Sequence, residues 1–240
     1  MKKYFTLYNA FLTVVFFLVI FSILAPIFMA LGLEEVAKYI YIVYSFFCHQ
    51  IHYRSLHLFD YQFAWCTRDT FIWIGLLTAG LFVKFRSIRA IKWYEVLIFV
   101  IPIALDGGIQ LIATMLGFST DKDVFYASTN LSRMLTGAFF GVGLGLWIFP
   151  MIDMAENINL NKKNASLWGS FLKIYAVNFV IYLVLIGLWF VTSNDYKPHS
   201  ILDHKSRLPD EKSQWLTRRQ NATCPVNTQE ESFVIFNCEE

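Results

Sequence analysis

Five runs of apolar residues, each long enough to cross a lipid bilayer as a helix, leave few alternatives for how this chain can fold. They extend from Asn9 to Leu33, Gln62 to Phe85, Glu95 to Phe118, Leu131 to Met151 and Phe171 to Thr192. A hydrocarbon core about 30 Å thick needs roughly 20 residues of helix. Helices are expected because a spanning segment must satisfy its own backbone, and strands would show alternation instead of solid apolar runs. Composition agrees. The chain is 56% hydrophobic and 16% charged, whereas a soluble domain carries about 25% charged residues. The fold class is therefore all-α: a polytopic membrane helix bundle with about five transmembrane helices. The first run is too long for the apolar part of a signal peptide and four more follow it, so a retained helix is expected.

Lys and Arg in short loops give the orientation. Lys2 and Lys3 precede the first run, Lys84, Arg86, Arg89 and Lys92 fill the second-to-third connection, and Lys162 and Lys163 lie in the fourth-to-fifth. With five spans all three places share one side. That side is read as cytoplasmic, and the C-terminal tail as extracytoplasmic. Residues 35–48 carry apolar residues at helical spacing (Val36, Tyr39, Ile40, Val43, Phe47) but are too short to span comfortably. A Tyr-bearing helix at the outer interface is expected there; a spanning segment would invert everything after it. Residues 1–192 thus form the membrane domain. Residues 193–240 are polar, mixed in charge and contain Pro198, Pro209 and Pro225, which reads as a loop-rich or partly disordered tail. The net charge of +2 excludes nucleic acid as an expected partner. The lipid bilayer is the implied one, with a homo-oligomer or a partner membrane subunit as further readings.

Two polar constellations interrupt this apolar background. The first is Cys48-His49-Gln50-Ile51-His52-Tyr53-Arg54-Ser55 followed by Cys66-Thr67-Arg68-Asp69. Thiolate and imidazole ligate zinc, copper or iron, so Cys48, His49, His52 and Cys66 are candidate ligands for a transition-metal ion. The spacing lacks the paired Cys-x-x-Cys that makes such an assignment specific. A Cys48–Cys66 disulfide is the competing reading in an oxidising compartment, and Cys224–Cys238 in the tail is a second candidate bridge. A third reading has His49, Gln50 and Arg54 hydrogen-bonding a ligand while the thiol packs.

The second constellation lies within the third and fourth spans. Asp106 and Gln110 are four residues apart and share a helix face. A carboxylate at that depth is costly unless paired. Asn130, Arg133 and Thr136 recur at helical spacing early in the fourth span, and Arg133 is the expected partner of Asp106 or a holder of an anion. Gly137, Gly141 and Gly145 form a smooth stripe, read first as a helix-packing surface and second as a partner surface. Signatures of nucleotide-binding loops, zinc proteases and serine hydrolases are absent.

Taken in order, Cys48-His49-Gln50 with Arg54-Ser55, Cys66-Thr67-Arg68, Leu105-Asp106-Gly107 with Gln110, and Thr129-Asn130 with Arg133 and Thr136-Gly137 resemble a family of prokaryotic multi-pass membrane proteins catalogued as domain of unknown function 2085. The resemblance covers about the middle hundred residues. It implies a prokaryotic plasma-membrane protein whose polar motifs belong together, and it brings no established activity. The family pattern often carries another Cys shortly after the Arg of the second motif, near Asp69. A metal site built here would substitute carboxylate for thiolate, which favours a harder ion.

These readings converge on an outward-facing pocket of Cys48, His49, Gln50, Arg54, Cys66, Arg68, Asp69, Asp106, Gln110, Asn130, Arg133 and Thr136. Three functions compete for it: binding or transport of a metal ion or small anion, an enzyme acting on a lipid-linked phosphate or thiol, and a non-catalytic accessory subunit.

Overall fold

The computed structural model describes residues 6–48, 50, 54–115, 128–156 and 164–194, the side chains at 110, 113 and 114 excepted. The tail beyond 194, with Cys224 and Cys238, lies outside them, as do His49, His52 and the side chain of Gln110. Among the described residues six helices and one short hairpin follow in the order α1 (Leu7–Ala30), α2 (Glu34–Ser45), β1 (His57–Leu58), β2 (Tyr61–Gln62), α3 (Thr67–Phe85), α4 (Val96–Met115), α5 (Asn130–Glu156) and α6 (Leu167–Thr192). Each of the five apolar runs overlaps one of the longer helices, and α2 occupies the short amphipathic segment. By length and composition α1, α5 and α6 can cross a membrane, and α4 adds the shorter apolar stretch Val96–Ile109. Helix α3 carries Arg68, Asp69 and Lys84 within its 19 residues, which lowers its apolar character.

Burial is distributed as in a protein whose solvent is lipid. Leu97, Ile101, Leu105, Leu111 and Ile112 on α4, and Leu172, Val180, Val184 and Val191 on α6, are exposed. Asp106, Arg133, Thr70 and Asn178 are buried. The interior is mainly apolar with these polar groups set into it, and exposed apolar surface on this scale needs a membrane or partner to cover it.

The residues divide into two compact units. One comprises Met1–Ile20, Arg68–Gly108 and Ser132–Leu183; the other comprises Phe21–Thr67, Ile109–Leu131 and Val184–Glu240. The first holds the main apolar core, in which Leu12 and Val15 of α1 meet Leu76, Ala79 and Val83 of α3, Val142, Leu146 and Phe149 of α5, and Ile174 of α6. Phe99, Phe139 and Phe171 add a ring cluster with centroids 5.0–5.3 Å apart. The start of α1 is doubly capped. Thr6 Oγ1 accepts from the Asn9 N–H at 3.2 Å, and the Glu156 carboxylate accepts from the N–H groups of Leu7 and Tyr8 at 2.6 and 3.0 Å. These are donors that a helix start leaves without an intrahelical acceptor, and negative charge there suits the helix dipole.

Gly137, Gly141 and Gly145 explain how α3 and α5 approach. A Cβ at Gly137 would lie 2.5 Å from the Arg68 carbonyl oxygen, one at Gly145 2.5 Å from the Ala79 Cβ, and one at Gly141 would collide with the Ile72 carbonyl. The stripe is thus occupied by α3 itself, which is the packing reading of its spacing. Asn178 Nδ2 donates to Thr78 Oγ1 at 2.9 Å and joins α6 to α3.

In the second unit α1 ends in a left-handed glycine. Gly32 has φ 74°, its N–H donates to Met29 C=O at 3.2 Å, and the Leu33 N–H donates to Phe28 C=O at 2.9 Å. That paired closure stops the helix and lets α2 begin at once. Helix α2 buries Ala37, Tyr41 and Tyr44 and leaves Tyr39, Ile42 and Val43 exposed. At 12 residues it is about 18 Å long, short of a bilayer core.

The second apolar run begins differently from its sequence boundary. Residues 62–66 are not helical: Gln62 belongs to β2, which pairs antiparallel with β1 through His57↔Gln62 and Leu58↔Tyr61. Phe59 and Asp60 both have positive φ, 53° and 68°, as a two-residue hairpin turn requires. The end of α6 holds that turn, with Phe59 N–H donating to Thr192 Oγ1, Asp60 N–H to Ser193 Oγ, and Asn194 N–H to Asp60 Oδ2 at 3.3, 3.0 and 3.1 Å. Local apolar content favoured helix, but tertiary hydrogen bonds decided the segment.

Candidate functional site

Helix α3 starts immediately after Cys66, and its first turn sends three consecutive side chains to three different partners, as about 100° per residue dictates. Thr67 faces Asn130, its Oγ1 lying 3.2 Å from Asn130 Oδ1. Arg68 turns to α4, and Asp69 follows it in the same turn.

The cysteine cluster is built by the segment that joins α2 to the hairpin. Gln50 has φ 49°, and its Nε2 donates to the carbonyls of Tyr41 and Ala64 at 2.7 and 3.1 Å. Gln62 Nε2 donates to Gln50 C=O at 3.0 Å, and Tyr41 Oη donates to Gln62 C=O at 2.5 Å. These buried bonds replace water for a non-helical stretch, and they press Cys48 against the start of α3. The Cys66 N–H donates to Cys48 Sγ at 3.3 Å. Asp69 follows Cys66 by three residues, in the first turn of α3. Cys48 is buried and Cys66 half-buried, and neither is in a disulfide among the described residues. Beside them Tyr44 packs on Trp65 with ring centroids 4.6 Å apart. Burial pushes the Tyr44 phenol up to about 12, so it stays protonated at neutral pH.

Asp106 takes its ion pair from Arg68. Arg68 Nη2 and Asp106 Oδ2 are 2.5 Å apart, with Thr136 Oγ1 donating to the same oxygen at 3.3 Å. The sequence reading named Arg133, from α5, as a partner of Asp106 and did not set Arg68 against it. Arg133 is buried, three residues before Thr136. Arg68 reaches α4 because Gly107 has no side chain: a Cβ there would lie 2.9 Å from Arg68 Nη1. The pair is a charge-assisted contact between largely buried groups.

Among the described residues, two polar groupings and one facing pair are defined by contacts: Cys48 with Cys66, Arg68 with Asp106 and Thr136, and Thr67 with Asn130. Gln50 is 3% exposed and serves the segment's own backbone. Arg54 is half-buried. Tyr41, Gln62, Asp60 and Ser193 were not foreseen as polar anchors. The signal for them was Phe59-Asp60, a two-residue turn between residues of strand-forming type.

The pattern of residues 48–148 matches the family model described as "Predicted membrane protein (DUF2085)". An uncharacterized protein of the archaeon Methanocaldococcus jannaschii is 34% identical over 162 residues, which cover 63% of this chain and 94% of that relative. No solved structure matches. The matched segment opens at Cys48 and contains both polar groupings. This chain belongs to the DUF2085 family of membrane proteins.

Proposed function

We propose that this is a membrane protein that binds a divalent transition-metal ion through the Cys48 and Cys66 thiolates, with Asp69, three residues after Cys66, as a third ligand. The carrying observation is that Cys48 and Cys66 meet although 18 residues separate them, the Cys66 N–H donating to Cys48 Sγ at 3.3 Å. Two thiolates and one carboxylate suit zinc or iron(II), whose protein ligands include both types. Three protein ligands leave a fourth position for water, a transported or reacting group, or His49, the sequence neighbour of Cys48. Three anionic ligands on a dication carry a net charge of −1, which the positive end of α3 favours. The Cys66 N–H bond to Cys48 Sγ is the kind of outer hydrogen bond that orients a thiolate ligand.

The metal reading is preferred over small-anion or lipid-phosphate chemistry because Arg68, one of the two arginines those would need, is engaged by Asp106. The accessory-subunit reading rested on the glycine stripe and the tail, and α3 covers the first of these. With five spans and a cytoplasmic N-terminus, the cluster sits at the outer end of α3 in a prokaryotic plasma membrane.

Elemental analysis of the full chain, purified in detergent with reductant, tests this. Stoichiometric zinc or iron is expected, with affinity falling by more than about 100-fold in Cys48→Ser, Cys66→Ser and Asp69→Asn. Metal-free protein that cannot be reloaded, with Cys48 and Cys66 joined before reduction, would replace the proposal with a disulfide clamp.

A further inference from the structure

A cleft opens in the first unit where the loop before α4 meets α5 and the start of α6. It is a shallow cleft with about 420 Å³ of empty space, counting what is open to solvent. Its floor is apolar and rigid, formed by Ile91, Phe99, Leu146 and Phe171, all buried. Its rim is charged, with Arg89 and Glu95 facing one another at 3.3 Å.

The loop that frames the cleft is tied down. Ile91 N–H donates to Leu146 C=O at 3.4 Å, and Ala165 N–H to Ser87 C=O at 2.9 Å beside the Ser87–Asn164 bridge. The opening therefore exists without rearrangement. Around it Trp93, Tyr94 and Trp168 are exposed. Exposed Trp and Tyr next to apolar helix starts mark the membrane–water interface. Residues 84–95 contain Lys84, Arg86, Arg89 and Lys92 against Glu95 as the single acidic residue.

An occupant must match an apolar floor and a rim set in a net-basic loop at interface depth. A soluble anion makes no use of the floor, and a zwitterionic or neutral lipid makes no use of the excess positive charge. We propose that the cleft holds one anionic phospholipid, its phosphate on Arg89 and part of an acyl chain against Phe99, Leu146 and Phe171. Arg89 contacts Glu95 through Nη2, and its side chain is 58% exposed. Its other donors can turn to a phosphate, which the planar fork of a guanidinium suits. Basic clusters and pockets beside spanning helices select anionic lipids for the same reason. Glu95 competes with the phosphate for Arg89, and this contact is independent of the cysteine cluster.

Native mass spectrometry of the full chain, relipidated with phosphatidylglycerol or phosphatidylcholine, tests the proposal. Phosphatidylglycerol should be retained preferentially. Arg89→Gln should lower its retention about fivefold, and Glu95→Gln should raise it, an effect of opposite sign that a damaged fold cannot mimic. Ile98→Trp, at the half-exposed wall of the cleft, should lower retention by blocking the acyl chain. Equal retention of the two lipids, displacement of phosphatidylglycerol by millimolar inorganic phosphate, or indifference to both Arg89→Gln and Glu95→Gln would overturn it.

Discussion

Arg68 and Asp106 illustrate how much a single pairing weighs when the surroundings are apolar. The Asp106 side chain is 5% exposed and that of Arg68 19%, so removing one partner strands a charge away from water. Asp106→Asn or Arg68→Met should cost about 3–5 kcal/mol each, while replacing both with apolar residues of similar volume should recover most of the loss. Thermal unfolding of the detergent-solubilised variants gives this comparison, and a double variant no more stable than the singles would refute the pairing as their cause. Glu95 behaves differently because it lies at the surface. The Lys92 N–H bond first, and the Arg89 hydrogen bond and charge after it, hold its carboxyl below the usual carboxylate range. A lowered pKa means that the contact is present above the unfolded-state value and is lost as pH falls through the folded one. The Lys92 amide, which donates to Glu95 Oε2 at 2.8 Å, should shift in NMR spectra only below that range, and Glu95→Gln should abolish the titration. The cysteines and Asp69 were legible as ligand types. A meeting of Cys48 with Cys66 was among the sequence readings, but what brings it about was not legible, because it depends on Gln50 and Gln62 bonding a backbone that sequence pattern treats as featureless.

Helices were readable as elements because each apolar run closes its own hydrogen bonds in lipid, without help from neighbours. Their partners were not equally readable. The glycines of α5 announced a close approach, and only the structure names α3 as the helix that approaches. Gly141→Ala places a methyl group against the Ile72 carbonyl and should destabilise by about 1–3 kcal/mol through overpacking. Ala at Gly108, where nothing lies within 4 Å, should be tolerated, and equal effects at both sites would discredit the packing assignment. The hairpin of β1 and β2 is the element that sequence pattern misplaced. Its turn is fixed by residues more than 130 positions away, and no window along the chain contains that information. Phe59 sits in a left-handed conformation that Asn adopts more readily. Phe59→Asn should therefore hold or raise thermal stability, whereas Asp60→Ala should lower it by about 1 kcal/mol through the lost bond to the Asn194 N–H.

At the scale of the molecule, the prevailing fact is an apolar exterior around buried polar groups, the form a helical chain takes when lipid is its solvent. The proposed five-span topology puts Lys84 to Lys92 inside and Cys48 and Cys66 outside. Impermeant maleimide should accordingly reach Cys66 in intact, reduced and metal-stripped cells, while a cysteine introduced at the exposed Phe85 should label only after permeabilisation. The reverse pattern would make α2 a span and invert the rest. The sequence by itself determined the solvent, the helical class, the positions of the long helices and the family, because these follow from local hydropathy, length and ordered motifs. Tertiary structure alone decided which charges pair, where the glycine stripe is covered, and which donors gather at Cys48. A residue's helical phase fixes the face it occupies, but the neighbour across that face is set by chain segments far away in sequence.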